Sequence, residues 1–189
     1  MDTLKTNRFW FLTSLIGAVA LVRLLSLPIH NFAPIGAMAL FGGVYFKDKL
    51  FAFLVPLMAL FVTDVIIELM GGPGFYKGMI AVYAAFFMVG CIGLLIRNQV
   101  NFRNVVAGAL ASSILFFLIT NFATWLGNPF YTQNLGGLMT SYAAGLAFYR
   151  NEIFGSFFFN TVLGDLFFTG VLIGAYALGK AKMPVLVKA

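Results

Sequence analysis

A continuous apolar run at 50–70, LFAFLVPLMALFVTDVIIELM, is long enough to cross a bilayer as one helix, yet carries Asp64 and Glu68 in its second half. An acid at the centre of a spanning helix costs about 2.5–3.5 kcal/mol on insertion scales, so it needs a partner or a water-filled cavity. Spaced four residues apart, the two carboxylates share one helix face. That face must look at something polar.

The rest of the chain agrees with a membrane setting. Of its 189 residues, 61% are hydrophobic and 10% charged, more apolar surface than a soluble domain of this length hides. Six apolar segments stand at 9–27, 32–46, 50–70, 79–96, 105–126 and 154–178, which predicts an all-α membrane protein with six spans. No polar linker divides them, so residues 1–189 form a single domain. The second segment is short, follows Pro28 and Pro34, and contains Gly36, Gly42 and Gly43. A weaker apolar run at 135–149 reads as an outer amphipathic or re-entrant segment between spans five and six. The first segment contains Arg23 and lacks a small-residue cleavage site, so it reads as an uncleaved span rather than a signal peptide.

Net charge is +6, but the basic residues sit singly in short connections and form no nucleic-acid patch. They carry topology instead. With a cytoplasmic N-terminus, six spans put Lys5, Arg8, Lys47, Lys49, Arg97, Arg103, Lys180, Lys182 and Lys188 inside and only Lys77 and Arg150 outside. Both termini are then expected to be cytoplasmic. Small-xxx-small pairs (Ala39/Gly43, Ala107/Ala111, Gly108/Ser112, Gly170/Gly174) suit close packing of helices.

Arg23 and Asp64 are each the fifteenth residue of segments running the same way, so each lies roughly 21 Å from the inner end. Equal depth and opposite charge predict an ion pair, either organising a cavity or simply pinning two helices. Glu68 lies one turn further out without an equally good partner. Asn121 and Trp125 are one turn apart near the outer end of the fifth segment. The last segment carries Asn160, Thr161, Asp165 and Thr169 as a polar stripe; Asp165 must face the bundle interior, paired or as a neutral acid hydrogen-bonded to the Asn or Thr groups. Asp165 lies nearer the midplane, whereas Arg23, His30, Asn31, Asp64, Glu68, Asn121 and the loop 127–134 gather in the outer half. The inner half is almost purely apolar, with Thr13, Ser14, Ser112, Ser113 and Thr169 its main polar side chains, which implies a cavity open outward and sealed inward. The lone Cys91 and lone His30 exclude a disulfide and any multi-Cys or multi-His metal site, and no enzyme motif occurs, so neither catalysis nor a cofactor is expected.

Four stretches, HNFAPIGAMALFGGVYF at 30–46, LVPLMALFVTD at 54–64, FLITNFATWL at 117–126 and GDLFFTGVLIG at 164–174, resemble an uncharacterised bacterial integral-membrane family described as a domain of unknown function or putative transport protein. Arg23, Asn31, Pro34, Asp64, Asn121, Trp125, Gly164 and Asp165 fall on its pattern, while its His-Pro-x-Asn-Phe sequence here reads Pro28-Ile29-His30-Asn31-Phe32. In size, span number and outward cavity that family is similar to the substrate-binding S-components of energy-coupling-factor transporters. The resemblance implies a bacterial inner-membrane protein that binds a small polar or vitamin-like solute, with a membrane coupling subunit and ATPases as partners. The residues expected at the solute are Arg23, His30, Asn31, Asp64, Glu68, Asn121, Trp125, Tyr131, Tyr142 and Asp165. A scaffold without a small-molecule ligand and an ion- or proton-coupled transporter remain open beside it.

Overall fold

A computed structural model describes residues 3–25, 31–146 and 156–182, and its regular elements there are helical. They are α1 (Thr3–Ala20), extended by a 3-10 turn (Leu21–Leu24), α2 (Ile35–Tyr45), α3 (Lys49–Leu69), α4 (Met79–Ile96), α5 (Phe102–Trp125), α6 (Leu135–Leu146) and α7 (Phe157–Lys182). Five helical stretches are long and apolar enough to cross a membrane: Asn7–Leu24, Lys49–Leu69, Met79–Ile96, Phe102–Trp125 and Phe157–Lys182. The chain is therefore a membrane-embedded helical protein.

From α1 to α5 successive helices alternate in direction, the short α2 included. Arg8 at the start of α1 donates to the Tyr45 carbonyl at the end of α2 (2.9 Å), and Arg97 after α4 donates to the Phe46 carbonyl (2.5 Å). Gly179 near the end of α7 lies against the Phe11 ring of α1. One end of the bundle thus gathers Arg8, Lys47, Lys49, Arg97, Arg103, Lys180 and Lys182, and we call it the basic end. The other, the loop end, carries the turns at 70–78 and 126–134, with Lys77.

Helix α2 is the axle of this bundle. Its 11 residues span only ~16 Å, about half the hydrocarbon core, yet eight of them are buried. Surrounded by α1, α3, α4, α5 and α7, it meets protein rather than lipid, so bilayer thickness does not set its length. Small residues let the neighbours in. A side chain at Gly43 would run into the Gly90 carbonyl and the Gly93 Cα, the latter at 2.8 Å, so α2 and α4 touch backbone to backbone. Gly42 faces Pro56 of α3, the proline whose missing N–H releases the Ala52 carbonyl. Around these contacts pack Leu12, Ile16, Met38, Phe41 and Leu172 on one side and Leu40, Leu60, Phe86 and Val89 on the other. Not every small-residue pair is used this way: Gly170 and Gly174 face open space on the outside of α7.

The run at 135–149 is helical over Leu135–Leu146; Tyr149 and the connection up to 155 fall outside the described residues. At 12 residues α6 is too short to cross. It folds back along α5, Ser141 donating to the Asn121 carbonyl (3.0 Å) and Tyr142 to that of Leu118 (3.2 Å).

Candidate functional site

A helix buried at both ends needs partners for its orphan amides and carbonyls, and α2 begins at Pro34 with no capping side chain of its own. Asp165 of α7 supplies the acceptor. Its carboxylate takes the Ala37 amide and the Ser113 hydroxyl of α5 (2.7 Å), and it lies so close to Gly36 that a methyl group there would collide with Oδ1. The Asp165 carboxyl thus stands at the N-terminus of α2, and Arg8 and Arg97 stand at its C-terminus, where cations complement the helix dipole. Asp165 is only 3% exposed, and no cation faces it among the described contacts. The sequence points to the Asn160, Thr161 or Thr169 groups as its hydrogen-bond partners. Thr161 donates to its own helix at Phe157 (2.9 Å), the buried Thr169 hydroxyl has no partner among the described residues, and Ser113, a residue from the middle of α5, bonds the carboxyl.

Beside this carboxylate is a cavity of about 60 Å³, lined by Asn31, Gly36, Phe86, Phe116, Thr161 and Asp165, among others. That volume holds roughly four water-sized occupants. It joins an exposed Asn31, held in the left-handed region at φ 62°, to the buried acid beneath. Positive φ suits Asn among the non-glycine residues, and here it turns the chain into Pro34 and α2.

The other predicted site residues fall into separate groups. Arg23 and Asp64 do pair, at 2.6 Å, and Asp64 is 2% exposed. Tyr83 of α4 donates to the other carboxylate oxygen (2.7 Å), while Arg23 also reaches the Thr63 hydroxyl and the Leu60 carbonyl (3.2 Å). These mutual contacts fit a staple between the turn after α1, α3 and α4. Glu68 accepts the Phe75 amide (3.0 Å) and so ties the 70–78 turn to the end of α3. Next to it burial, then the nearby Asp64 charge, push the Tyr76 phenol above its ordinary range.

Asn121, Trp125, Tyr131 and Tyr142 lie on the α5–α6 hairpin, away from Asp165. Asn121 donates to its own helix at Phe117 (2.9 Å) and packs on Gly145, and Trp125 donates to the Thr132 carbonyl (2.8 Å). The turn between them is laced by Gln133, which donates to the carbonyls of Trp125 (2.9 Å) and Tyr131 (3.1 Å) and accepts the Gly127 amide (3.0 Å). These contacts knit the hairpin to itself; among the described residues they do not join the Asp165 cavity. His30 lies outside the described residues. No group of three metal-ligating His, Cys, Asp or Glu side chains occurs among the described residues.

Sequence reasoning overlooks Tyr83, Ser113 and the turn of α2 at Gly36. A signal for the last is present: a short helix starting Pro-Ile-Gly-Ala, without Ser, Thr, Asp or Asn at its cap, must borrow an acceptor from elsewhere.

These features define a polytopic helical membrane protein with a buried acid beside a small, mostly apolar cavity. The family model for a family of unknown function (DUF6580) matches residues 3–186, and the chain belongs to that family. No curated protein and no solved structure matches it.

Proposed function

We propose that this protein is a transport protein that receives a small polar or cationic solute, of a few heavy atoms, in the cavity at Asn31, Thr161 and Asp165. The supporting observation is the cavity itself: it leads from an exposed asparagine to a buried carboxylate that no cationic side chain neutralises among the described contacts. An ionisable group inside a membrane bundle is costly unless it serves something. Capping α2 accounts for the carboxylate's contacts with Ser113 and Ala37, whereas the space in front of it is left for solvent or cargo. A vitamin-sized ligand of the S-component kind needs a pocket of roughly 300 Å³ or more. At about 60 Å³ this cavity favours a smaller solute, or a coupling cation.

In this reading the basic end faces the cytoplasm of a bacterium, with both termini there, and the loop end faces outward as the entrance. Binding and translocation, not catalysis, are the activity, and alternating access would have to open the apolar half below Asp165. A membrane coupling subunit with ATPases belongs to the S-component version of the reading and would be found by co-purification from native membranes. The scaffold reading draws support from the satisfied Arg23–Asp64–Tyr83 group and differs in one respect: it needs no accessible cavity.

The test uses an Asn31→Cys variant in a Cys91→Ala background. Labelling by a membrane-impermeant maleimide on intact cells, and thermal stabilisation of the purified protein by sodium, potassium or ammonium that Thr161→Val weakens, are expected. No maleimide labelling of the Asn31→Cys variant, together with melting temperatures indifferent to all three cations, would sink the proposal.

A further inference from the structure

Helices α1 and α3 run parallel from the basic end, and between them is an open groove of about 390 Å³. Apart from Thr13 and Thr63 its lining is apolar, from Phe9 and Phe51 at one end to Leu21 and Ile66 at the other. Leu54, Met58 and Val62 on its α3 wall are 43–48% exposed. Thr63 already donates to the Leu60 carbonyl (2.8 Å), which leaves the Thr13 hydroxyl as the lining group without a hydrogen-bond partner among the described residues.

Length and lining together say what fits. From Phe51 to Ile66 the groove runs ~22 Å, more than one leaflet's half of the roughly 30 Å hydrocarbon core. An extended hydrocarbon chain lying along it meets an almost wholly apolar wall over that length. At its basic end the groove opens beside exposed Lys47 and Lys49, with Arg8 next to Phe9. The acid between the two lysines, Asp48, is turned onto the Leu50 amide (2.8 Å) as the cap of α3. Basic residues gathered where an apolar cleft meets the interface attract anionic lipid headgroups.

We infer that the α1–α3 groove is a binding site for an anionic phospholipid, with one acyl chain along Gly17, Ala20 and Ala59 and the phosphate at Lys47 and Lys49. A Cβ at Gly17 would meet nothing within 4 Å, so a side chain placed there has room to enter the groove.

The experiment is native mass spectrometry of the full chain released from mixed micelles containing dioleoyl phosphatidylglycerol and dioleoyl phosphatidylcholine. Wild type is expected to retain one phosphatidylglycerol in preference to phosphatidylcholine. Lys47→Gln with Lys49→Gln should erase most of that preference, since each lysine is worth about a fivefold factor. Gly17→Leu puts a side chain into the groove from a position whose Cβ meets nothing within 4 Å, and should abolish retention of either lipid while leaving the melting temperature near that of wild type. Equal retention of the two lipids by wild type overturns the inference. So does undiminished retention in a normally melting Gly17→Leu protein, or a dimer that this substitution splits without loss of lipid.

Discussion

Removing the carboxylate of Asp64 leaves Arg23 as a guanidinium whose side chain is 13% exposed, still hydrogen-bonded to the Leu60 carbonyl and the Thr63 hydroxyl but without a counter-charge. It also strips Tyr83 of its acceptor. Breaking one side of a buried ion pair costs about 3–5 kcal/mol, and Arg23's slight exposure places Asp64→Leu near the lower figure. For a chain of this size about 3 kcal/mol corresponds to a fall of roughly 6–12 °C in melting temperature. Removing both charges should cost far less, because two leucines restore an apolar seam between the turn after α1 and α3. The assay is a double-mutant cycle on the purified protein in detergent: far-UV melting of wild type, Arg23→Leu, Asp64→Leu and the double variant. The coupling should exceed about 1 kcal/mol, with the double variant above Asp64→Leu. If the single effects simply add, with a coupling below about 0.5 kcal/mol, the pair is not holding the helices and the argument for it is wrong.

Other outcomes follow from the packing of α2. Gly43→Ala forces a methyl against Gly93 Cα, 2.8 Å away, and should lower stability by about 1–3 kcal/mol in the same melts, while Gly174→Ala, which meets nothing within 4 Å, should be silent. Ser113→Ala takes one donor from the buried Asp165 carboxylate and should cost about 1–3 kcal/mol; Ser113→Thr, keeping the hydroxyl, should recover part of it. Because the Tyr76 phenol is raised from 10.0, the folded protein holds that proton more tightly than the unfolded chain. Stability should therefore decline as pH rises above about 10, and Tyr76→Phe should flatten that decline in alkaline melts.

How legible each part is from sequence follows from what it depends on. Long apolar runs report helices because lipid demands a satisfied backbone, so α3, α4 and α5 stand close to the expected segments. The Arg23–Asp64 contact needs only equal depth on two parallel helices, a one-dimensional argument. Asp165 needs rotation and register as well: its partner can be named only with α5 turned so that Ser113 points inward and α2 starting at its level. Asn121 misleads for a related reason. An amide at the end of a helix looks like a ligand contact, yet it can be satisfied by its own Phe117 carbonyl and covered by Gly145 of a hairpin that folds back on it. Polar groups sharing a depth do not thereby share a space. Those at the loop end divide between the ion-pair staple, the turn at Glu68, the α5–α6 hairpin and the Asp165 cavity.

Three side chains from three different helices grip the two tips of α2: Asp165 at its start, Arg8 and Arg97 at its finish. Any working motion that keeps those bonds must carry the axle along with α7, α1 and α4 as one piece. Helix α5 belongs to the same piece through Ser113 and Asp165, so the movable part is what hangs on the outside, above all α6 beyond the 126–134 turn. Cross-linking α6 to α7 would therefore hold that outer arm still without disturbing the frame.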